Sequence, residues 1–202
     1  MFKLLKRGSS GRVSFEQQLI TLASCGIELA PGVQPQALLR SFDREAFEAE
    51  PYRLLLVCMG DRAGNTSHAG GTGYASDNIW HFDTECIEDD GAYVAIARRM
   101  MDLAQGELPL EDIADHVDVE AGQAHVAFRL AGQSHRWDAE VEGDWVDSSI
   151  LSRFAGLLTR VGRGRRFTYI DLGGQDCLIG CATPLHRDRL ATETGLTVDW
   201  LA

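Results

Sequence analysis

The stretch ADHVDVEAGQAHVAFRLAGQSHRWDAEV, residues 114–141, decides the fold class. Along it, apolar and polar side chains alternate with the two-residue period of a strand. Ala124, Val126, Phe128 and Leu130 interleave with His125 and Arg129, and Trp137, Ala139 and Val141 interleave with Arg136, Asp138 and Glu140. Each strand therefore has one face for a core and one for water. AGQS at 131–134 has the composition of a hairpin turn, so three consecutive antiparallel strands are expected here.

Working outward, NIWHFDTECI at 78–87 reads as a strand with Trp80 and Phe82 on one side and His81, Asp83 and Glu85 on the other. YRLLLVCMG at 52–60 reads as a buried strand, and RFTYIDL and DCLIGCA as a strand pair across the turn GGQ. Helices are marked by their ends. Ser14 and Gln17 form a capping box before FEQQLITLA, and Pro35 suits the first turn of a helix that stops before Pro51. Asp90 is placed to cap a helix closed by Gly106. Asp147 or Ser148 caps 148–161, where Ile150, Leu151, Phe154, Leu157 and Leu158 follow helical spacing, and Thr183-Pro184 opens a last helix that Gly195 stops. This order lacks strict strand–helix alternation. It predicts an α+β fold, a largely antiparallel sheet with helices packed on one face, in a single domain over 1–202 with a possible subdivision near 107–110. Residues 61–77 read as a flexible glycine-rich loop that matches neither phosphate-binding glycine motif.

An apolar content of 45% over 202 residues is enough to fill a core. No stretch approaches the roughly 18 apolar residues of a membrane helix, and MFKLLKR at the start lacks the apolar run of a signal peptide. A cytoplasmic protein with no membrane partner is expected. Five cysteines, an odd number in apolar contexts, point to reduced thiols rather than a disulfide framework. Cys177, Cys181 and His186 have a zinc-like spacing, but four strand residues put the two sulfurs roughly 13 Å apart, too far for one tetrahedral ion.

The net charge is −11, and it is unevenly placed, with seventeen acidic and four basic residues between 83 and 147. Such a surface repels phosphate backbones, which argues against a nucleic-acid partner, and attracts a basic protein. GRGRRF at 162–167 gathers arginines at a helix C-terminus, where they complement the helix dipole.

Two copies of His-x-Asp-x-Glu stand out, His81, Asp83 and Glu85 in one and His116, Asp118 and Glu120 in the other. On a strand, such a row spaces its groups about 6–7 Å apart, so one stripe cannot chelate an ion alone. Two adjacent strands, with cross-strand Cβ atoms about 4.5–5.5 Å apart, would bring mixed imidazole and carboxylate ligands around one cation. FDTE at 82–85 also resembles the opening motif of proofreading-type exonucleases, which implies metal on Asp83 and Glu85. The downstream His-x-x-x-x-Asp of that family has no counterpart in HRDRLATE at 186–193, so the match is a coincidence of spacing.

The expectation drawn from these features is a non-enzymatic binding protein without a cofactor, similar in charge and size to small acidic proteins that neutralise basic toxins. Its contact residues are expected to be Asp83, Glu85, Glu88, Asp89, Asp90, Asp118, Glu120, Asp138 and Glu140. The alternative is a metal-dependent hydrolase or phosphodiesterase using the two stripes on neighbouring strands.

Overall fold

The computed structural model describes residues 12–62 and 73–202. Most of the 61–77 loop and the N-terminal segment lie outside the described residues. The chain is α+β, with two antiparallel sheets.

Four helices come first, α1 (Phe15–Ser24), α2 (Pro35–Leu38), α3 (Arg44–Ala49) and α4 (Arg53–Gly60). Ser14 Oγ accepts from the Gln17 N–H and starts α1, while Pro35 occupies the first turn of α2. The single helix expected over 34–50 is two, because Asp43 accepts from the Ala46 N–H and caps a new start. YRLLLVCMG is helix α4 and not a strand. Its buried residues Leu55, Leu56 and Met59 recur at helical spacing, while Val57 and Cys58 are only half-buried. A short apolar run has the same signal in either conformation, and the tertiary setting decides it.

The larger sheet has the order β1-β6-β5-β7, from β1 (Ile79–Asp83), β5 (Arg166–Asp171), β6 (Asp176–Ala182) and β7 (Asp199–Trp200). The smaller is a meander of β2 (Leu110–Asp118), β3 (Gln123–Leu130) and β4 (Gln133–Ala139), the stretch that set the fold class. Between them run α5 (Ala92–Leu103) and α6 (Ser148–Val161), and α7 (Pro184–Thr194) precedes β7.

Alternation along the larger sheet divides the interior into two cores. Trp80, Phe82, Phe167, Cys177 and Ile179 face α5, α6 and the inner side of the meander, where Ala124, Val126, Phe128 and Leu130 are buried as expected. Ile79, Ile170 and Leu178 point the other way, into a second core with α1, α4 and α7. Helices thus cover both faces of the larger sheet, and β6 carries no polar side chain from Cys177 to Ala182 because its centre is buried on both. Leu108 and Leu110, in the 107–110 connector, belong to the same core as α5 and β3.

Candidate functional site

The two stripes sit on different sheets, the first on β1 and the second on β2. Cross-strand proximity, on which a shared cation depends, is therefore missing, and among the described residues no group of three or more His, Cys, Asp or Glu is arranged to hold a metal ion. His81, Asp83, His116 and Asp118 have separate local partners instead, and Glu85 and Glu120 lie beyond the ends of β1 and β2. His81 Nδ1 lies 2.8 Å from Asp61 Oδ1 at the end of α4. Asp83 Oδ1 accepts from the Glu85 N–H at 2.9 Å and from Gln175 Nε2 at 3.3 Å. Asp118 accepts from the Ala121 N–H, which closes the β2–β3 turn, and Glu120 rides on that turn beyond the strand.

Asp90 does not cap α5. Its carboxylate accepts from the Val117 N–H at 2.6 Å and lies 3.2 Å from His116 Nδ1; the backbone bond first, and His116 after it, hold its pKa below the usual carboxylate value. The N-cap is Gly91 in the left-handed region, which has no side chain to offer. Asp115 replaces it from across the meander, accepting from the Gly91 and Val94 N–H groups at 2.8 and 3.0 Å. On the outer face, His116, His125 and Asp138 stand in register across all three strands, with Arg136 between His125 and Asp138. Slight burial, Arg136 and His116 lower the His125 pKa.

The remaining acidic residues are gathered elsewhere. Beyond β1 the chain runs antiparallel to the link between β4 and α6: the Val146 N–H donates to the Thr84 carbonyl, the Ile87 N–H to the Asp144 carbonyl, both at 2.8 Å, and Glu85 bridges to Trp145. This pairing sets Asp83, Glu85, Glu88 and Asp89 beside Glu142 and Asp144. None of these six forms an ion pair with an arginine among the described residues. By contrast, Glu111 and Asp112 pair with Arg129 and Asp138 with Arg136. Glu140 lies between the two groups, its N–H bound to Asp147.

A cleft of about 640 Å³ opens next to this acidic edge, between the 142–146 turn, the N-terminal half of α6 and β7. Trp145, Tyr169, Trp200, Val146 and Leu151 give it a mainly apolar wall, Cys177 lies among its lining residues, and Thr84 and Glu142 supply polar groups. Trp145 is 43% exposed. Burial, with Asp176 and Asp171 adding to it, pushes the Cys177 thiol up to about 12, so it is protonated and inert at neutral pH. The described lining holds the hydroxyls of Ser148 and Ser152 but no histidine or lysine to act as their base. The cleft thus combines an apolar wall with hydroxyls and the Glu142 carboxylate. Sequence reasoning missed it, because its walls come from five separate segments; the only local signal was Trp145 in a polar, glycine-containing turn.

Among the described residues, no helix is long and apolar enough to cross a membrane. Comparison of the chain with protein-family models, with curated proteins and with solved structures returns no significant match, so the site is read from its own geometry.

Proposed function

We propose that this chain is a non-enzymatic binding module that engages a basic protein partner through its acidic face, in the manner of an inhibitor or immunity protein. The supporting observation is the gathering of Asp83, Glu85, Glu88, Asp89, Glu142 and Asp144 by the 84–87 and 142–146 pairing, with no arginine paired to them among the described residues. Like charges so placed repel one another and raise the local potential, a cost that a cationic partner relieves. The residues Asp118, Glu120 and Asp138, on the meander, extend the same field over a second surface, with Asp90 and Glu140 between. Five free cysteines suit a reducing compartment, and the cytoplasm is the proposed location.

A labelled oligolysine tests the reading by fluorescence anisotropy across a salt series. Reversing Glu85, Glu88, Asp89 and Asp144 to lysine should weaken binding by about tenfold or more and flatten its salt dependence. A control with Glu28, Glu45, Glu50 and Glu193 reversed carries the same net charge and should bind within about twofold of the parent. Equal losses in the two variants would mean that only total charge matters and would overturn the acidic-face reading.

A further inference from the structure

We infer that the cleft beside the acidic edge is an anchor pocket for one bulky apolar side chain of a basic segment, a phenylalanine or leucine flanked by lysine or arginine. This rests on the proposed binding to a basic partner and adds what that partner must present. Three observations carry it.

The first is the shape and lining of the cleft. Trp145, Tyr169 and Trp200 border a space of about 640 Å³ whose exposed wall is mainly apolar, large enough for an aromatic side chain. Aromatic-lined pockets that desolvate one side chain are where binding energy concentrates. The second is the way Trp145 is held. Its N–H donates to the Glu142 carbonyl at 3.2 Å, it bridges to Glu85, and the next residue, Val146, is tied to Thr84. An indole left 43% exposed on backbone fixed from both sides is a preorganised contact, so little conformational entropy is lost when it is covered.

The third is charge. Glu142 lines the cleft, Glu85 sits opposite Trp145, and Asp144 lies in the same turn. A segment with basic residues on either side of its anchor would place them against these carboxylates. A second copy of this chain fits poorly, because it would bring an equally acidic edge onto this one. Arg166 and Arg187 lie 4.6 and 5.8 Å from the Trp200 ring, so positive charge already stands beside that wall of the cleft and an apolar group is favoured against it over a cation.

The test uses the full chain and three capped tripeptides as probes: lysine-phenylalanine-lysine, lysine-alanine-lysine and glutamate-phenylalanine-glutamate. Titrations are followed through the four tryptophan indole N–H signals by NMR, with Trp145 and Trp200 identified from Trp145→Phe and Trp200→Phe. The first peptide should shift both signals saturably. Removing the ring, or reversing the flanking charge, should each weaken binding by about tenfold. Trp145→Ala should weaken the first peptide by about tenfold and leave oligolysine binding within about twofold, whereas Trp145→Phe should restore most of it. Equal binding of the phenylalanine and alanine peptides, with oligolysine still bound and still lost on charge reversal, overturns the anchor pocket while leaving the acidic face intact. Equal binding of the lysine- and glutamate-flanked peptides overturns the basic character of the segment. Loss of oligolysine binding from the parent chain would sink the acidic-face reading itself, whatever the peptides do.

Discussion

Single carboxylates fasten segments far apart in sequence. Asp147 is the busiest: its side chain accepts from the Ser149 N–H at the start of α6 and from the Glu140 N–H beyond β4, and its own N–H donates to Tyr93 Oη on α5. Burial, the largest single influence, opposes its ionisation, but the Glu140 N–H, the Ser149 hydroxyl and N–H and the Arg153 charge together outweigh it and its pKa is lowered. The sign follows directly. A lowered folded-state pKa gives stability that is full above the unfolded value of about 3.9 and is lost as pH falls through the folded one. Asp147→Asn should therefore lower the urea midpoint at pH 7 and flatten its fall between about pH 5 and 2. Asp115 does comparable work for α5. Asp115→Ala removes the acceptor of two helix-start donors and should cost about 1–2 kcal/mol in urea unfolding, while Asp90→Ala should leave the α5 start in place.

At the scale of elements, close backbone approach and turn geometry set the register. Gly60 ends α4 against β1, where a Cβ would lie 2.4 Å from the His81 nitrogen. Gly60→Ala must push α4 off the sheet and should destabilise by about 1–3 kcal/mol, read as a drop in melting temperature. The β3–β4 hairpin turns through Ala131 and Gly132, both with positive φ (50° and 78°), as in a type I′ turn. Alanine is strained in that position, so Ala131→Asn or Ala131→Gly should raise stability by about 0.5–1 kcal/mol. At the opening edge of the larger sheet, Arg99 is 2% exposed, donates to the Ser76 and Ile79 carbonyls and stacks 3.7 Å from the Tyr74 ring. Burial lowers its pKa, a sign of how much of its hydration the two carbonyls and the ring must replace.

For the whole molecule, two cores back to back on one sheet leave the polar business at the periphery. Cys25, Cys177 and Cys181 are buried, and burial raises the thiol pKa of each; Cys58 and Cys86 are half-buried with pKa pushed up to about 11. Native protein at pH 8 should thus react slowly with a disulfide reagent at all five positions, and rapidly once unfolded in denaturant. A fast native fraction would place a thiol outside the packing described here. The acidic edge and the cleft share the 142–146 turn, so changes to its carboxylates Glu142 and Asp144 should weaken both oligolysine and the lysine-flanked phenylalanine peptide, whereas changes on the meander should alter charge recognition alone.

The sequence by itself determined the parts whose signals are local. The α6 span with its Asp147 cap, the β5–β6 pair across its turn, α7 between Thr183 and Gly195, and the inner face of β3 all lie where spacing and end chemistry put them. Each depends on neighbours within a few residues, and those are written next to one another. Only the tertiary structure decided that Arg53–Gly60 is a helix, that the two His-x-Asp-x-Glu stripes are on separate sheets, that Asp115 rather than Asp90 caps α5, and that a cleft opens beside Glu142. These outcomes turn on contacts between residues tens of positions apart, where burial on both faces of a sheet and the need to satisfy every helix-start donor select among local alternatives of nearly equal energy.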